Sequence, residues 1–203
     1  MGFFDKPSIK TDDQYFEEGI ELSKIGRHSD AISSFDKAIK INPDFTLAYY
    51  YRGVVQYFLD QYLAALNSCD NALIRDTNLA GAWKIRGFAY RSLGSNEIAI
   101  KSLDKFLSFD NDETDNADVW SSRGVALSDI NQYTDAVTSY DKALAINPNK
   151  IGTLTYRGDA LINLERYTEA VDSYDKALAL DPNNTIAKHN REIAIQQLKK
   201  KSE

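Results

Sequence analysis

The sequence predicts an all-α protein built as a stack of helix pairs, and three observations carry that expectation. The phrase Tyr140-Asp141-Lys142-Ala143-Leu144-Ala145-Ile146-Asn147-Pro148 returns 34 residues later as Tyr174-Asp175-Lys176-Ala177-Leu178-Ala179-Leu180-Asp181-Pro182. An older version, Phe35-Asp36-Lys37-Ala38-Ile39-Lys40-Ile41-Asn42-Pro43, lies earlier in the chain. A fixed period of this size marks stacked supersecondary units rather than one globular core. Within each period, apolar residues recur at helical spacing in two runs separated by a polar stretch.

Position 1 of the units is set at Asp12, Thr46, Ala80, Ala117 and Ile151, giving spans 12–45, 46–79, 80–113, 117–150 and 151–184. Residues 1–11 form an N-terminal tail, which either frays or docks through Phe3, Phe4 and Ile9. In each unit, positions 4, 8, 11 and 14 share one face of the first helix. Positions 20, 21, 24, 27 and 28 share one face of the second. Position 8 is Gly19, Gly53, Gly87, Gly124 and Gly158, and position 20 is Ala31, Ala65, Ala99, Ala136 and Ala170. Small residues there let the two helices cross closely. Polar pairs such as Ser29-Asp30 and Thr134-Asp135 suit a cap for the second helix. The prolines Pro43, Pro148 and Pro182 would stop it. Residues 185–203 read as one more first-type helix with a basic tail. Ile186, Ile193 and Leu198 would cover the last apolar face, and Lys199-Lys200-Lys201 would favour the negative end of its dipole.

The stretch Trp83-Lys84-Ile85-Arg86-Gly87-Phe88-Ala89-Tyr90 resembles the tetratricopeptide repeat pattern, with Arg86 where leucine is usual. The resemblance covers residues 12–184. It implies a right-handed α-α superhelix, a solenoid of five helix-turn-helix units plus the C-terminal capping helix.

Charges follow the same register. Position 25 is Asp36, Asp70, Asp104, Asp141 and Asp175, and position 7 is Arg52, Arg86, Arg123, Arg157 and Arg191 in units two to five and the cap helix. Unit one has Glu18 at position 7 and no unit before it. Each aspartate is therefore expected to pair with the arginine of the next first helix, Asp36 with Arg52 through Asp175 with Arg191. A planar guanidinium suits such a place. The alternative is a set of solvated surface charges.

The register breaks once. Three extra residues, Thr114-Asp115-Asn116, follow unit three, and Phe106 stands at position 27 where the other units have alanine. An altered packing between units three and four is expected. The acidic loop starts like a calcium loop at Asp110 and Asp112, but it lacks the sixth-place glycine and has Ser121 for glutamate, so it reads as solvated.

The family resemblance implies a concave surface lined by first-helix positions 2, 5, 9, 12 and 13. Carried over, the N-terminal half gives Phe16, Ile20, Leu47, Tyr50, Val54, Tyr57, Phe58, Lys84, Phe88 and Arg91 as a peptide-binding groove. The C-terminal half is polar and mildly acidic, with Asp118, Ser121, Asp129, Asp159 and Asn163. The competing reading is that Phe16, Tyr50 and Phe88 pack only against their neighbours. Chaperone cofactors of this family clamp a C-terminal carboxylate with Lys and Asn at positions 5 and 9, Asn at position 6 of the next unit, and Lys and Arg at positions 2 and 6 of the third. Units one to three offer Phe16, Ile20, Tyr51, Gly81 and Ile85 instead, and none of the later triples matches beyond a single residue, Lys84 in units three to five.

Nothing points to catalysis. His28 and His189 have no Cys or His neighbour at ligand spacing, no phosphate loop or hydrolase motif occurs, and Cys69 stands at a core position. No cofactor and no metal are expected. The net charge of −6 argues against a general nucleic-acid binder. The single cysteine fits a reducing compartment, and no apolar run is long enough to span a membrane, so a cytoplasmic protein is expected. The reading is a non-enzymatic scaffold or adaptor that binds a protein partner through a peptide or helix. The alternative is a self-association module, a weak homo-oligomer whose groove is filled by its own or a neighbour's N-terminal segment.

Overall fold

A computed structural model describes residues 10–109 and 116–201. The expectations for residues 1–9 and for the acidic loop at 110–115 lie outside those residues. Eleven helices are found among the described residues: α1 Asp12–Lys24, α2 His28–Ile41, α3 Thr46–Phe58, α4 Tyr62–Arg75, α5 Ala80–Ser92, α6 Asn96–Leu107, α7 Asn116–Asp129, α8 Tyr133–Ile146, α9 Ile151–Asn163, α10 Tyr167–Leu180 and α11 Thr185–Lys201. The chain divides into two compact bodies, Met1–Leu93 and Gly94–Glu203.

In the N-terminal body α1 packs on α2, α3 on α4, and each second helix on the next first helix. The C-terminal body repeats this scheme from α6 to α11. Successive first helices also touch, α1 with α3 and α3 with α5 in one body, α7 with α9 and α9 with α11 in the other. The first helices therefore line the inner side of each body's curve.

The turn inside a helix pair is made by position 15, which is left-handed wherever it occurs: Gly26 (φ 77°), Asp60 (φ 57°), Gly94 (φ 74°), Asn131 (φ 62°) and Glu165 (φ 56°). After Gly26, Asp60, Asn131 and Glu165 the next residue sends its N–H back to the helix just ended, as Arg27 N does to Leu22 O at 2.9 Å and Arg166 N to Leu161 O at 2.9 Å. This is the Schellman closure of a helix C-terminus. Where position 15 is not glycine, a tyrosine at position 17 can bond it: Tyr62 Oη donates to Asp60 at 2.5 Å and Tyr133 Oη to Asn131 at 2.6 Å.

That turn corrects the expected capping. Ser29-Asp30 and Thr134-Asp135 lie inside the first turn of α2 and α8, and the N-cap residues Arg27 and Gln132 make no side-chain cap bond. Their ψ values of 61° and 62° differ from the extended ψ of 170° at Thr11, which does form a capping box with Gln14. Asp30 and Glu169 instead hold the N-cap arginines Arg27 and Arg166, both at 2.7 Å. Proline is not required to end the second helix either. The helix α4 stops at Arg75 with no proline after it, and Asp76 takes the same extended geometry as Asn42, Asn147 and Asp181. Each of these four side chains accepts the N–H two residues on, at 2.9–3.1 Å, an Asx turn that competes with the helix.

The core explains the glycines. A Cβ on Gly19, Gly124 or Gly158 would lie 2.5 Å from the ring of Phe35, Tyr140 or Tyr174, respectively. Position 8 makes room for the ring at position 24 of the same unit. In unit two Cys69 takes that place against Gly53. Positions 3 and 10 are a seam that faces the preceding second helix. Ala48 and Val55, Ala82 and Ala89, Val119 and Ala126, Thr153 and Ala160, and Ala187 and Ala194 are all buried. In α1 the same positions are Gln14 and Glu21, both exposed.

The cap helix also departs from expectation. α11 docks on α10 through Ala187 and Ala194, while Ile186 is 62% and Leu198 36% exposed. It uses the same seam as every other first helix, so the larger residues fall beside it. Asn184 Oδ1 caps it by accepting the Ala187 N–H at 3.0 Å. Phe106 is buried in α6.

Candidate interaction surface

On the inner face of the N-terminal body the structure divides the ten groove residues into packed and open ones. Phe16 lies 4.9 Å from Phe45, 5.6 Å from Tyr51 and 6.0 Å from Phe35 between ring centroids. Together with Ile20 it covers the buried cluster of Ala31, Phe35 and Val55. Tyr50 lies over Gly81, whose added Cβ would fall 2.5 Å from its hydroxyl. This is why position 2 of unit three is glycine. Val54 and Tyr57 pack on the cluster of Cys69, Ala72, Leu73, Ala82 and Ile85, and the Tyr57 ring lies tilted beside Phe88 at 6.0 Å. Lys84 and Arg91 are half-buried, and Arg91 Nε makes no hydrogen bond among the described residues.

Leu47 and Phe58 remain open, at 43% and 69% exposed. Tyr51, at position 6 and outside the carried-over positions, is 37% exposed and joins Phe16 and Tyr50. Phe16, Tyr50 and Phe88 thus contribute to the body's own packing, and Leu47, Tyr51 and Phe58 form the accessible apolar strip.

The inner face of the C-terminal body is polar. Asp159 accepts from the buried Tyr174 hydroxyl at 2.6 Å and from Asn190 at 2.7 Å. Burial, and then that carboxylate, push the Tyr174 phenol far above its usual range, and burial does the same for Tyr140. Ser121 and Thr153 share a hydrogen bond at 2.8 Å beside a cleft of about 310 Å³, lined also by Lys150 and Tyr156. Lys150 pairs with Asp118.

Between units, each position-25 aspartate stands against the next position-7 arginine. The distances are 2.5 Å for Asp36 and Arg52, 2.8 Å for Asp70 and Arg86, 2.6 Å for Asp104 and Arg123, 2.6 Å for Asp141 and Arg157, and 2.5 Å for Asp175 and Arg191. The Arg157 side chain is 17% exposed and that of Asp141 53%, so the cation is sheltered while the carboxylate meets water. A third partner appears that the sequence reading missed. Arg52, Arg123 and Arg157 also donate to Ser68, Ser139 and Ser173 at 3.0, 2.7 and 2.6 Å. The signal was present: position 23 is serine in all five units, and every one is buried. In unit one Glu18 accepts from Ser34 at 3.2 Å and from Lys10 at 2.7 Å, and the lysine bond holds its carboxyl below the ordinary range.

Among the described residues no cluster of His, Cys, Asp and Glu suits a metal ion. Cys69 is fully buried, and desolvation pushes its thiol up to about 12. No helix among the described residues is long and apolar enough to cross a membrane.

Models described as tetratricopeptide repeat match residues 117–150 and 152–184, and one described as TPR repeat matches 21–60. A Xenopus laevis protein named tetratricopeptide repeat protein 33 is 30% identical over 86 residues, 42% of this chain and 33% of that protein. Drosophila melanogaster Hsc70-interacting protein 1 is 34% identical over 87 residues, 43% of this chain and 23% of that protein. The aligned region thus spans a third or less of these relatives. Among solved structures, YrrB, described as a TPR protein with an unusual peptide-binding site, superposes with a TM-score of 0.79 at 20% identity, covering 88% of this chain and 91% of that one. MamA from Desulfovibrio magneticus RS-1 gives 0.77 at 16% identity, covering 86% and 97%. At these identities the structures speak for the fold, and with the repeat matches they lead to one statement: this chain belongs to the tetratricopeptide repeat family.

Proposed function

We propose that this protein is a non-enzymatic interaction scaffold, and that the inner face of its N-terminal body holds a segment of a protein partner. One observation carries the reading: Phe58, on the register that lines the inner face, is 69% exposed beside the partly buried ring of Tyr57. Rigid aromatics at the edge of a packed cluster give contact area at low entropic cost, the property of residues that dominate binding energy. Leu47 and Tyr51 extend the strip toward the start of α3. YrrB, with the same fold, is described as having a peptide-binding site. The family's carboxylate clamp has no counterpart here, so the partner is recognised through apolar side chains rather than a terminal carboxylate.

The test is selection of peptides on the immobilised protein, followed by fluorescence anisotropy with the enriched sequence. Phe58→Asp and Leu47→Asp should each weaken binding at least tenfold at unchanged helicity. Phe16→Asp is a poor probe, because it would disrupt the packing around Phe35. Unaltered affinity in both variants would mean that the face is wrongly assigned. A dimer that dissociates when the chain is cut back to Thr11 would favour self-association instead.

A further inference from the structure

We infer that the cleft over Gly152, on the inner face of the C-terminal body, receives a tyrosine side chain from a partner protein, in the way that Tyr50 covers Gly81 within the N-terminal body. Position 2 is glycine in units three and five alone, Gly81 and Gly152. In the first case position 5 of the preceding first helix is Tyr50. An added Cβ on Gly81 would lie 2.5 Å from the Tyr50 hydroxyl oxygen and 2.7 Å from the ring carbon that carries it. In the second case position 5 is Ser121, and the nearest atom to an added Cβ is 3.8 Å away, on Tyr156 of α9 itself. Gly81 is accordingly half-buried and Gly152 exposed. The two glycines share one register, and a ring closes over one and not over the other. Above Gly152 lies the cleft of about 310 Å³, with Ser121 of α7 on one side and Ile151, Thr153 and Tyr156 of α9 on the other. The two helices touch, so the opening comes from one small side chain between packed neighbours.

Three features narrow the occupant. The volume stands at the lower end of the range for small-ligand pockets, which suits one aromatic side chain. Tyr156 is 48% exposed and stacks at 6.4 Å on Tyr140, itself fully buried, so an entering ring meets a fixed aromatic wall. Ser121 and Thr153 share one hydrogen bond at 2.8 Å, and a hydroxyl pair joined by one bond keeps an O–H and further lone pairs for a third hydroxyl. A phenylalanine would match the shape but would cover that pair without bonding it, which costs part of its desolvation. Lys150 is paired with Asp118 at the rim, so the cleft offers a neutral phenol no competing net charge.

This site is separate from the inner face of the N-terminal body, and its test is independent. The probe is N-acetyl-L-tyrosinamide, titrated into the isotope-labelled full chain and followed by amide NMR shifts. Saturable shifts in the millimolar range are expected at Ser121, Gly152 and Thr153. Ser121→Tyr should abolish them, because its ring fills the cleft from within. Gly152→Ala should weaken binding at least tenfold, because its Cβ takes the place of the phenol. N-acetyl-L-phenylalaninamide should bind at least threefold more weakly than the tyrosine probe. Circular dichroism checks that the variants stay folded. A second readout needs no ligand: in urea titration Ser121→Tyr and Gly152→Ala combined should lose more stability than the two single changes sum to, since the new ring and the new Cβ collide. No saturable shift, unaltered affinity in Gly152→Ala, equal affinity for the phenylalanine probe, or additive stabilities overturn the proposal. So does a dimer seen by light scattering that Ser121→Tyr dissociates, which would place a second copy in the cleft.

Discussion

One substitution, made at two places in the same helix, should have opposite effects. Gly158 and Gly152 both lie in α9. An added Cβ at Gly158 would sit 2.5 Å from two ring carbons of Tyr174. Carbon atoms in contact prefer about 3.5–4.0 Å, so the ring would have to retreat by about 1 Å. It has little freedom to do so, because it is fully buried and its hydroxyl is fixed to Asp159 at 2.6 Å. Overpacking of this kind costs about 1–3 kcal/mol, and weakening a hydrogen bond to a carboxylate adds up to about 1.5–3 kcal/mol. Alanine's better helix propensity returns about 1 kcal/mol. Gly158→Ala should therefore destabilise by about 2–4 kcal/mol. At Gly152 the nearest atom is 3.8 Å away, so Gly152→Ala should be neutral or stabilise by up to about 1 kcal/mol. Urea titration followed by circular dichroism measures both. Hydrogen exchange in α9–α11 guards against a transition that is not two-state, as repeat arrays can show. If the two variants shift stability equally, or Gly158→Ala matches the parent, the ring-on-glycine account of position 8 is wrong.

Other outcomes follow from the same geometry. Arg157→Ala should cost about 1–2 kcal/mol, less than the about 3–5 kcal/mol of a dry ion pair, because Asp141 is half in water and Ser173 keeps its bond to the Glu169 carbonyl at 2.9 Å. A loss below about 0.3 kcal/mol in urea titration would mean that these pairs do not set the register. Glu165→Gly should raise stability by about 0.5–1 kcal/mol by relieving a left-handed non-glycine residue at φ 56°, read as a higher urea midpoint. The Cys69 thiol, raised by burial, should resist alkylation at pH 8 in the native protein and react once unfolded. Rapid native labelling would show that α4 opens.

The fold was legible because its period is written in residues whose jobs are local, such as the glycines and alanines of each helix pair. The relative places of the position-25 aspartates and position-7 arginines could likewise be counted from the register. Ser68, Ser139 and Ser173 escaped notice although equally periodic, since serine reads as surface until a buried arginine needs an acceptor. The inner face was harder. Phe16 and Phe58 share a register class, yet Phe45 and Tyr51 cover one while the other, met at its edge by Tyr57, stays 69% exposed among the described residues, and that depends on how three helices meet. For the cap helix, large apolar residues drew attention away from Ala187 and Ala194, whose small size is what lets α11 approach α10.

The seam at positions 3, 7 and 10 has a consequence for how such an array can lengthen. Units two to five present small or apolar residues and an arginine there, so a tandem duplication of unit five, which keeps the regular register, would find a compatible neighbour on both sides. Unit one presents Gln14, Glu18 and Glu21. Copied into the interior, it would bury three polar side chains and set Glu18 against an aspartate. A copy of unit one placed behind α10 should therefore lower stability, whereas a copy of unit five placed there should not.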